Sequence, residues 1–161
     1  MDRLWSPWRY RYVSQVAQDD TCIFCEALKA ANDRETLILY RGQHNFIILN
    51  RYPYTTGHVM IAPYEHIPDL AGARQEVLSE MMALCQRVEK ALAELYKPEG
   101  YNLGMNLGRC AGAGVLGHLH LHLLPRWAGD TSFMTTVAET RLEPEELTTT
   151  FQKLKPYFED S

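Results

Sequence analysis

The sequence predicts an α+β fold: an antiparallel sheet with one long helix and a C-terminal helix. Three observations predict it. His118-Leu119-His120-Leu121-His122-Leu123-Leu124 alternates polar and apolar side chains, the period of a half-buried strand. Val77, Leu78, Met81, Met82, Cys85, Val88, Leu92 and Leu95 recur at helical spacing between Asp69 and Pro98. Shorter apolar runs bounded by Gly, Asn and Pro supply further strands. The chain has 161 residues, 46% hydrophobic and 22% charged, which suits one globular domain with a sizeable core. A net charge of −4 argues against nucleic acid or an anionic membrane as partner. No apolar run approaches membrane-spanning length, and the first residues lack the apolar core of a signal peptide. A cytoplasmic protein is expected.

Residues 1–20 read as an arm in which Trp5, Trp8, Tyr10 and Tyr12 interleave with Arg3, Arg9 and Arg11. It packs on the body or on a dimer mate, or it touches substrate. Residues 21–161 read as a single domain. Cys22-Ile23-Phe24-Cys25 opens it. In a reducing compartment this C-x-x-C is half of a zinc site, a redox pair or two spectator thiols, rather than a disulfide staple. His66 and one histidine of the 118–122 row are the candidates to complete a zinc site. Leu37 to Tyr40 reads as a strand and His44 to Leu49 as its hairpin partner, with Gly42 in the turn. Phe46 and Ile48 alternate with Ile47 and Leu49, so one pair faces the core and the other can flank a ligand. Asn50 opens a loop through Pro53 and Gly57, and His58 to Ala62 forms the next strand, closed by Pro63. The long helix runs from Asp69 to Pro98, stopped by Pro98 and Gly100. Tyr101 to Leu107 returns as a strand. A glycine-rich loop, Gly108 to Gly117, leads into the histidine strand, which Pro125 ends because it cannot donate to a ladder. Pro144 to Phe158 reads as the terminal helix.

Three imidazoles on one strand face mark chemistry. Imidazole titrates near neutral pH, attacks phosphorus and ligates metals. An ordinary solvated strand would carry Thr, Lys, Glu or Ser there. Gly112-Ala113-Gly114-Val115-Leu116-Gly117 matches G-x-G-x-x-G in form only. A dinucleotide fingerprint needs a helix after it, and here a strand follows. These glycines instead fit a loop whose backbone N–H groups approach an anion.

The histidine row, this loop and the Asn50-to-Pro63 segment together resemble the histidine triad (HIT) superfamily. His118 to Leu124 matches its H-φ-H-φ-H-φ-φ signature without a gap. Leu49-Asn50-Arg51 through Gly57-His58-Val59 resembles its nucleoside-binding strand pair, and Met105-Asn106-Leu107-Gly108 with Ala111-Gly112 its phosphate loop. Arg3-Leu4-Trp5-Ser6-Pro7-Trp8-Arg9 and Pro125-Arg126-Trp127-Ala128-Gly129-Asp130 are similar to a bacterial branch related to fragile-histidine-triad hydrolases and diadenosine tetraphosphate phosphorylases. The resemblance implies a homodimer with a HIT-like fold over residues 21–161, acting on nucleotides or dinucleoside polyphosphates. It also implies a structural zinc on Cys22, Cys25, His66 and His118. His120 is then the nucleophile, with His122 and His58 as its catalytic companions. Asn50, Phe46, Ile48, Asn106, Gly112, Ala113, Gly114 and His122 line the substrate. Many fragile-histidine-triad hydrolases carry Gln or Ser late in the loop, where this chain has Ala113 and Gly114, so contacts there fall to backbone N–H groups.

Three functions compete. In the first, His120 attacks the α-phosphorus of a dinucleoside polyphosphate, and water resolves the nucleotidyl-histidine; in a phosphorylase, inorganic phosphate does so instead. In the second, two or three triad histidines hold a catalytic zinc. In the third, the chain binds nucleotide without turnover. His at position 122, where some relatives carry Gln, leans toward hydrolysis, and the terminal segments lean toward phosphorolysis.

Overall fold

The computed structural model describes residues 21–130 and 145–159. The arm of residues 1–20 and the first residue of the expected terminal helix, Pro144, lie outside them. The elements run in order α1 (Ile23–Lys29), α2 (Asp33–Thr36), β1 (Ile38–Arg41), β2 (Asn45–Leu49), β3 (Val59–Pro63), α3 (Gln75–Tyr96), β4 (Gly100–Gly104), β5 (Leu121–Arg126) and α4 (Leu147–Leu154). Short 3-10 turns occupy Arg109–Ala111 and Lys155–Phe158. The five strands form one antiparallel sheet, as the sequence predicts, and their order is β1-β2-β3-β5-β4.

Cross-strand register sorts the side chains by face. Ile48 pairs with Met60 and Met60 with His122, while Phe46 pairs with Ala62. Directly paired residues share a face, so Phe46, Ile48, Met60 and His122 lie on one side. Ile47, Leu49, Val59, Ile61, Leu121 and Leu123 take the other, and α3 packs against β2, β3 and β5. All five residues of β2 and of β3 are buried, so the centre of the sheet is covered on both faces. Its inner wall joins Val77, Met81, Leu84, Val88 and Leu92 of α3. Such near-continuous apolar strands follow from burial on both sides.

Three boundaries differ from the sequence reading: β4 runs Gly100–Gly104 rather than on to Leu107, and the other two concern α3 and the histidine row. α3 begins at Gln75, not Asp69. The Asp69 carboxylate accepts the Gly72 N–H, and the Ala73 N–H donates to the Leu70 carbonyl, so residues 69–73 close a turn before the helix. At the other end Lys97 takes a left-handed conformation (φ 47°) and its N–H caps the Ala93 carbonyl.

The third difference concerns the histidine row. The ladder begins at Leu121, leaving His118 to His120 outside it, and runs on through Pro125 to Arg126. Extending the β3–β5 register would set Leu119 opposite Pro63, which has no N–H to give. The Leu119 N–H donates to the Ile67 carbonyl at 2.6 Å, and the Pro63 carbonyl accepts from His118 Nε2. Pro125 is tolerated because β3 ends opposite Leu123; beyond that point β5 has β4 alone as neighbour. After Arg126, a tight turn with Gly129 at φ 82° brings the Asp130 N–H to the Trp127 carbonyl, and the Asp130 carboxylate clasps the Arg126 guanidinium. The family-like Pro125-to-Asp130 segment is thus a strand-end clip. The terminal helix appears as α4 plus its 3-10 extension, burying Phe151, Leu154 and Phe158.

Candidate active site and metal centre

Alternation persists through the row although only part of it is in the ladder. Leu119, Leu121 and Leu123 are buried, and the three imidazoles gather on the opposite side. The rings of His120 and His122 lie 4.9 Å apart, and Phe24 of α1 packs against both His118 and His120 at 5.1 and 5.0 Å. The same Phe24 meets Phe46 edge-on, and Phe46 stacks on Tyr64. Phe46 therefore reaches the row through Phe24 and is itself fully buried, while Ile48 is 7% exposed. Met60 flanks His122 on the neighbouring strand and was missed in the sequence; only the strand register brings it there.

Hydrogen-bond partners fix the proton on each ring, backbone groups for His58, His118 and His120 and the His58 imidazole for His122. The Tyr54 N–H donates to His58 Nδ1 at 3.1 Å, so His58 carries its proton on Nε2. That Nε2 donates to His122 Nδ1 at 2.9 Å, which puts the proton of His122 on Nε2. His120 Nδ1 donates to the His118 carbonyl at 2.7 Å, leaving His120 Nε2 with a bare lone pair. His118 Nε2 donates to the Pro63 carbonyl at 2.8 Å, leaving its Nδ1 as an electron-pair donor. Burial pushes all four imidazoles below their ordinary range. His58 falls to about 3 through burial and then its neighbours His122 and His120; His122 falls to about 4 through burial and then His120. For His120 and His118, burial outweighs the carbonyl bonds, which act the other way. The row is neutral at physiological pH. It offers one lone pair at His120 beside one N–H at His122.

Asn50 joins the same group. Its Nδ2 lies 3.2 Å from His58 Nδ1, its Oδ1 accepts the Tyr52 N–H, and its own N–H donates to the His58 carbonyl. Gly57, at φ 77° with a would-be Cβ 3.1 Å from Leu92, lets this loop turn tightly over α3 into β3. The segment carrying the glycine-rich loop leaves the sheet at Gly104, opposite His122, passes through His118 to His120 and rejoins the sheet at Leu121. Asn106 lies near its start. One expectation is revised here. The Gly112 N–H donates to the Arg109 carbonyl, and the Ala111 and Ala113 N–H groups donate to Gly108, because the 3-10 turn closes the loop on itself. The Gly112 and Ala113 amides are engaged within the loop, not held open toward an anion. No Cβ would meet an obstacle at Gly108 or Gly112.

Cys22, Cys25, His66 and His118 converge at the other end of the row, with ligand atoms all within 4.8 Å of one another. Cys22 caps α1 and Cys25 sits in its first turn. Cys22 Sγ to His118 Nδ1, Cys25 Sγ to His66 Nδ1 and Cys25 Sγ to His118 Nδ1 measure 3.3, 3.3 and 3.7 Å. A tetrahedral zinc with bonds of ~2.3 Å to sulfur and ~2.0 Å to nitrogen has sulfur–nitrogen edges of roughly 3.5 Å. Donor set and spacing therefore fit zinc. His120 and His122 are outside this cluster. Gly117 makes room for it: a Cβ there would lie 2.9 Å from His66 Nε2.

Known proteins resemble this chain in sequence and in fold. The HIT domain family model matches residues 31–129. An AP-4-A phosphorylase of Mycobacterium tuberculosis is 33% identical over 152 residues, covering 90% of this chain and 78% of that protein. A histidine triad nucleotide-binding protein of Sulfolobus tokodaii superposes with a TM-score of 0.66 at 27% identity, covering 84% of this chain and 91% of the other. A zinc-bound histidine triad family protein of Mycobacterium smegmatis gives 0.61 at 26% identity, covering 91% of each.

Proposed function

The chain belongs to the HIT domain family, and on that premise we propose an enzyme that cleaves dinucleoside polyphosphates of the diadenosine type at an α-phosphate through a nucleotidyl-histidine. The observation that carries this reading is the pair formed by the bare Nε2 of His120 and the Nε2–H of His122, each fixed by the partner on its other nitrogen. His120 Nε2 attacks the α-phosphorus; an N–P bond forms and the P–O bond to the leaving nucleotide breaks, its electron pair going to the departing oxygen. An acceptor oxygen then attacks phosphorus and releases His120. This divides one difficult displacement into two, and positioned donors do most of the work. His122 Nε2–H faces the phosphoryl oxygens, and His58 holds His122 in that tautomer. Asn106 adds a side-chain donor. Asn50 holds the ribose, Ile48 and Met60 wall the base with Phe46 packed behind them, and Gly112, Ala113 and Gly114 let the phosphates approach the loop closely.

Water is the acceptor in a hydrolase. Phosphorolysis is the second reading, favoured by the 33% identity to an AP-4-A phosphorylase. Cys22, Cys25, His66 and His118 would hold zinc as a closed four-ligand set, and bound there it supplies cross-linking, with no open position for water. That set leaves His120 and His122 unligated, which favours the nucleophile over a zinc hydrolase. Residues 21–161 form the HIT domain in this reading, and two chains a cytoplasmic homodimer. Among the described residues no helix is long and apolar enough to cross a membrane.

The test is product analysis on diadenosine tetraphosphate with and without inorganic phosphate, alongside His120→Ala. ADP formed only with phosphate identifies a phosphorylase; AMP formed without it identifies a hydrolase. His120→Ala should lose at least about 1000-fold in kcat while still binding nucleotide, and intact-mass analysis of quenched wild type should reveal a nucleotidyl adduct. Wild-type turnover by His120→Ala would end the proposal.

A further inference from the structure

We propose that Phe24 is the positioning residue of the nucleophile: its ring ties His120 to α1 and so sets the direction in which Nε2 points. This rests on the nucleotidyl-histidine reading above and deepens it by naming what aims the attacking atom. Three observations carry it.

The nucleophile stands on backbone that the sheet does not hold. The ladder begins at Leu121, so His118 to His120 lie outside it. This segment is tied to the body by the Leu119 N–H on the Ile67 carbonyl and by His118 Nε2 on the Pro63 carbonyl. The imidazole of His120 makes its bond within the segment, from Nδ1–H to the His118 carbonyl two residues back. That bond selects the tautomer. It does not fix the ring against the rest of the molecule, because the torsion between Cβ and an sp2 ring is broad.

Phe24 provides the missing restraint. Its ring lies 5.0 Å from that of His120, inclined at 43°, and 5.1 Å from that of His118. Among the described residues the other ring against His120 is that of His122, on the same run of chain and nearly perpendicular at 76°. Phe24 is therefore the ring contact that reaches His120 from a different element. It is 1% exposed, and Phe46 of β2 backs it edge-on. A ring packed on both sides has little room to shift.

The turn that carries Phe24 is itself anchored. α1 has seven residues, and Phe24 is its buried one. Cys22 and Cys25 flank that ring in the chain, and their thiols converge with His66 and His118. The cluster at the head of the row and the nucleophile thus share one buried contact.

Displacement at phosphorus needs the attacking and leaving atoms roughly in line. The Nε2 lone pair lies in the ring plane, so a turn of the ring spoils the line of attack without removing the lone pair. A misplacement of about 1 Å can cost on the order of 100-fold in rate. Such a loss falls on kcat, because the ground-state contacts to nucleotide remain.

The experiment compares wild type with Phe24→Leu and Phe24→Met, which keep an apolar side chain but no ring, and with Phe151→Leu, which removes a buried ring of α4 away from the row. On diadenosine tetraphosphate both Phe24 variants should lose about tenfold or more in kcat with KM changed less than about threefold, and Phe151→Leu should stay within about twofold. A kcat near wild type in the Phe24 variants, an equal fall in Phe151→Leu, or a loss confined to KM would overturn the proposal. Nitrogen-15 NMR of the imidazoles gives a readout independent of turnover. The His120 Nδ1–H should exchange with solvent about tenfold faster or more in the Phe24 variants than in wild type, as expected for a bond that opens more often. Unchanged exchange would show that the ring is held without Phe24 and would overturn the proposal. Wild type inert on the tetraphosphate would instead count against the enzyme reading, while the exchange comparison would still decide whether Phe24 holds His120.

Discussion

His58 Nε2 lies 2.9 Å from His122 Nδ1, and the Tyr54 N–H occupies the other nitrogen of His58. A backbone amide can only donate, so the direction of the whole relay is set by the loop after Asn50. His58 thereby acts on the row through His122. His58→Phe keeps a ring of similar size and deletes the bond. The expected outcome is a fall in kcat of about 10–100-fold, the scale typical of lost outer-layer partners, with nucleotide affinity changed less than threefold. A kcat within twofold of wild type would show that His122 needs no such orientation.

The same burial predicts how stability responds to pH. His58, held to about 3 when folded against 6.5 when free, is neutral in the folded state and takes up a proton on unfolding below neutrality. The unfolded chain then binds more protons, so stability falls as pH drops from about 6.5 toward 3. Glu80 adds a second acid-labile contribution. Burial pushes its carboxyl up, but the Asn45 amide and the backbone N–H groups of Gln43, His44 and Asn45 outweigh that and hold it below the usual range. Its stabilisation is present at neutral pH and is lost as pH falls through the folded value. Thermal melts from pH 7 to 4 should show Tm declining throughout. His58→Phe should flatten the upper part of that decline, and Glu80→Gln should cost about 1–2 kcal/mol at pH 7. A Tm independent of pH in wild type would contradict both assignments.

What the sequence disclosed follows from which signals are local. Period-2 alternation from His118 to Leu124 and the helical repeat from Val77 to Leu95 are properties of neighbours along the chain, and each produced its element. The row's departure from the ladder was not visible, because it depends on where the β3–β5 register stops, at Ile61 opposite Leu121, a pairing between distant segments. The same holds for Glu80, which caps the β1–β2 turn from α3 through Gln43, His44 and Asn45. The glycine loop was read correctly as a loop but not as one that turns its Ala111, Gly112 and Ala113 amides back on itself; a run of glycines states freedom and not the bonds chosen. The gathering of Cys22, Cys25, His66 and His118 was expected by family resemblance. The place of Gly117 against His66 emerges only in three dimensions.

A homodimer has a specific surface to explain. Among the described residues β4 is the last strand of the sheet, with β5 on one side and no strand on the other. Its Leu103 is 48% exposed, and across the groove Met82 of α3 is 53% exposed. An open edge beside apolar side chains invites a second copy, joining two sheets across a two-fold axis. Sedimentation at micromolar concentration should give twice the chain mass of 18.5 kDa. Leu103→Asp should shift the population toward monomer by at least tenfold in dissociation constant. A stable wild-type monomer would refute the dimer.

Zinc ought to govern stability more than chemistry. Its four candidate ligands come from α1, from the turn after β3 and from the head of the histidine row, so one ion would tie three separated segments together. His118 serves this set through Nδ1 while its carbonyl holds His120 Nδ1–H, so ligation at one end steadies the nucleophile at the other. Purified protein should carry one zinc per chain by elemental analysis. Cys22→Ser/Cys25→Ser should lose it, and Tm should drop by about 10 °C or more, since structural zinc binding contributes directly to folding. Gly117→Ala offers a second reading with all four ligands intact: its methyl would press on His66 Nε2 from 2.9 Å and should weaken zinc affinity at least tenfold. Full zinc retention by the double serine variant would exclude the site, and zinc found on His120 or His122 would return a catalytic metal to contention.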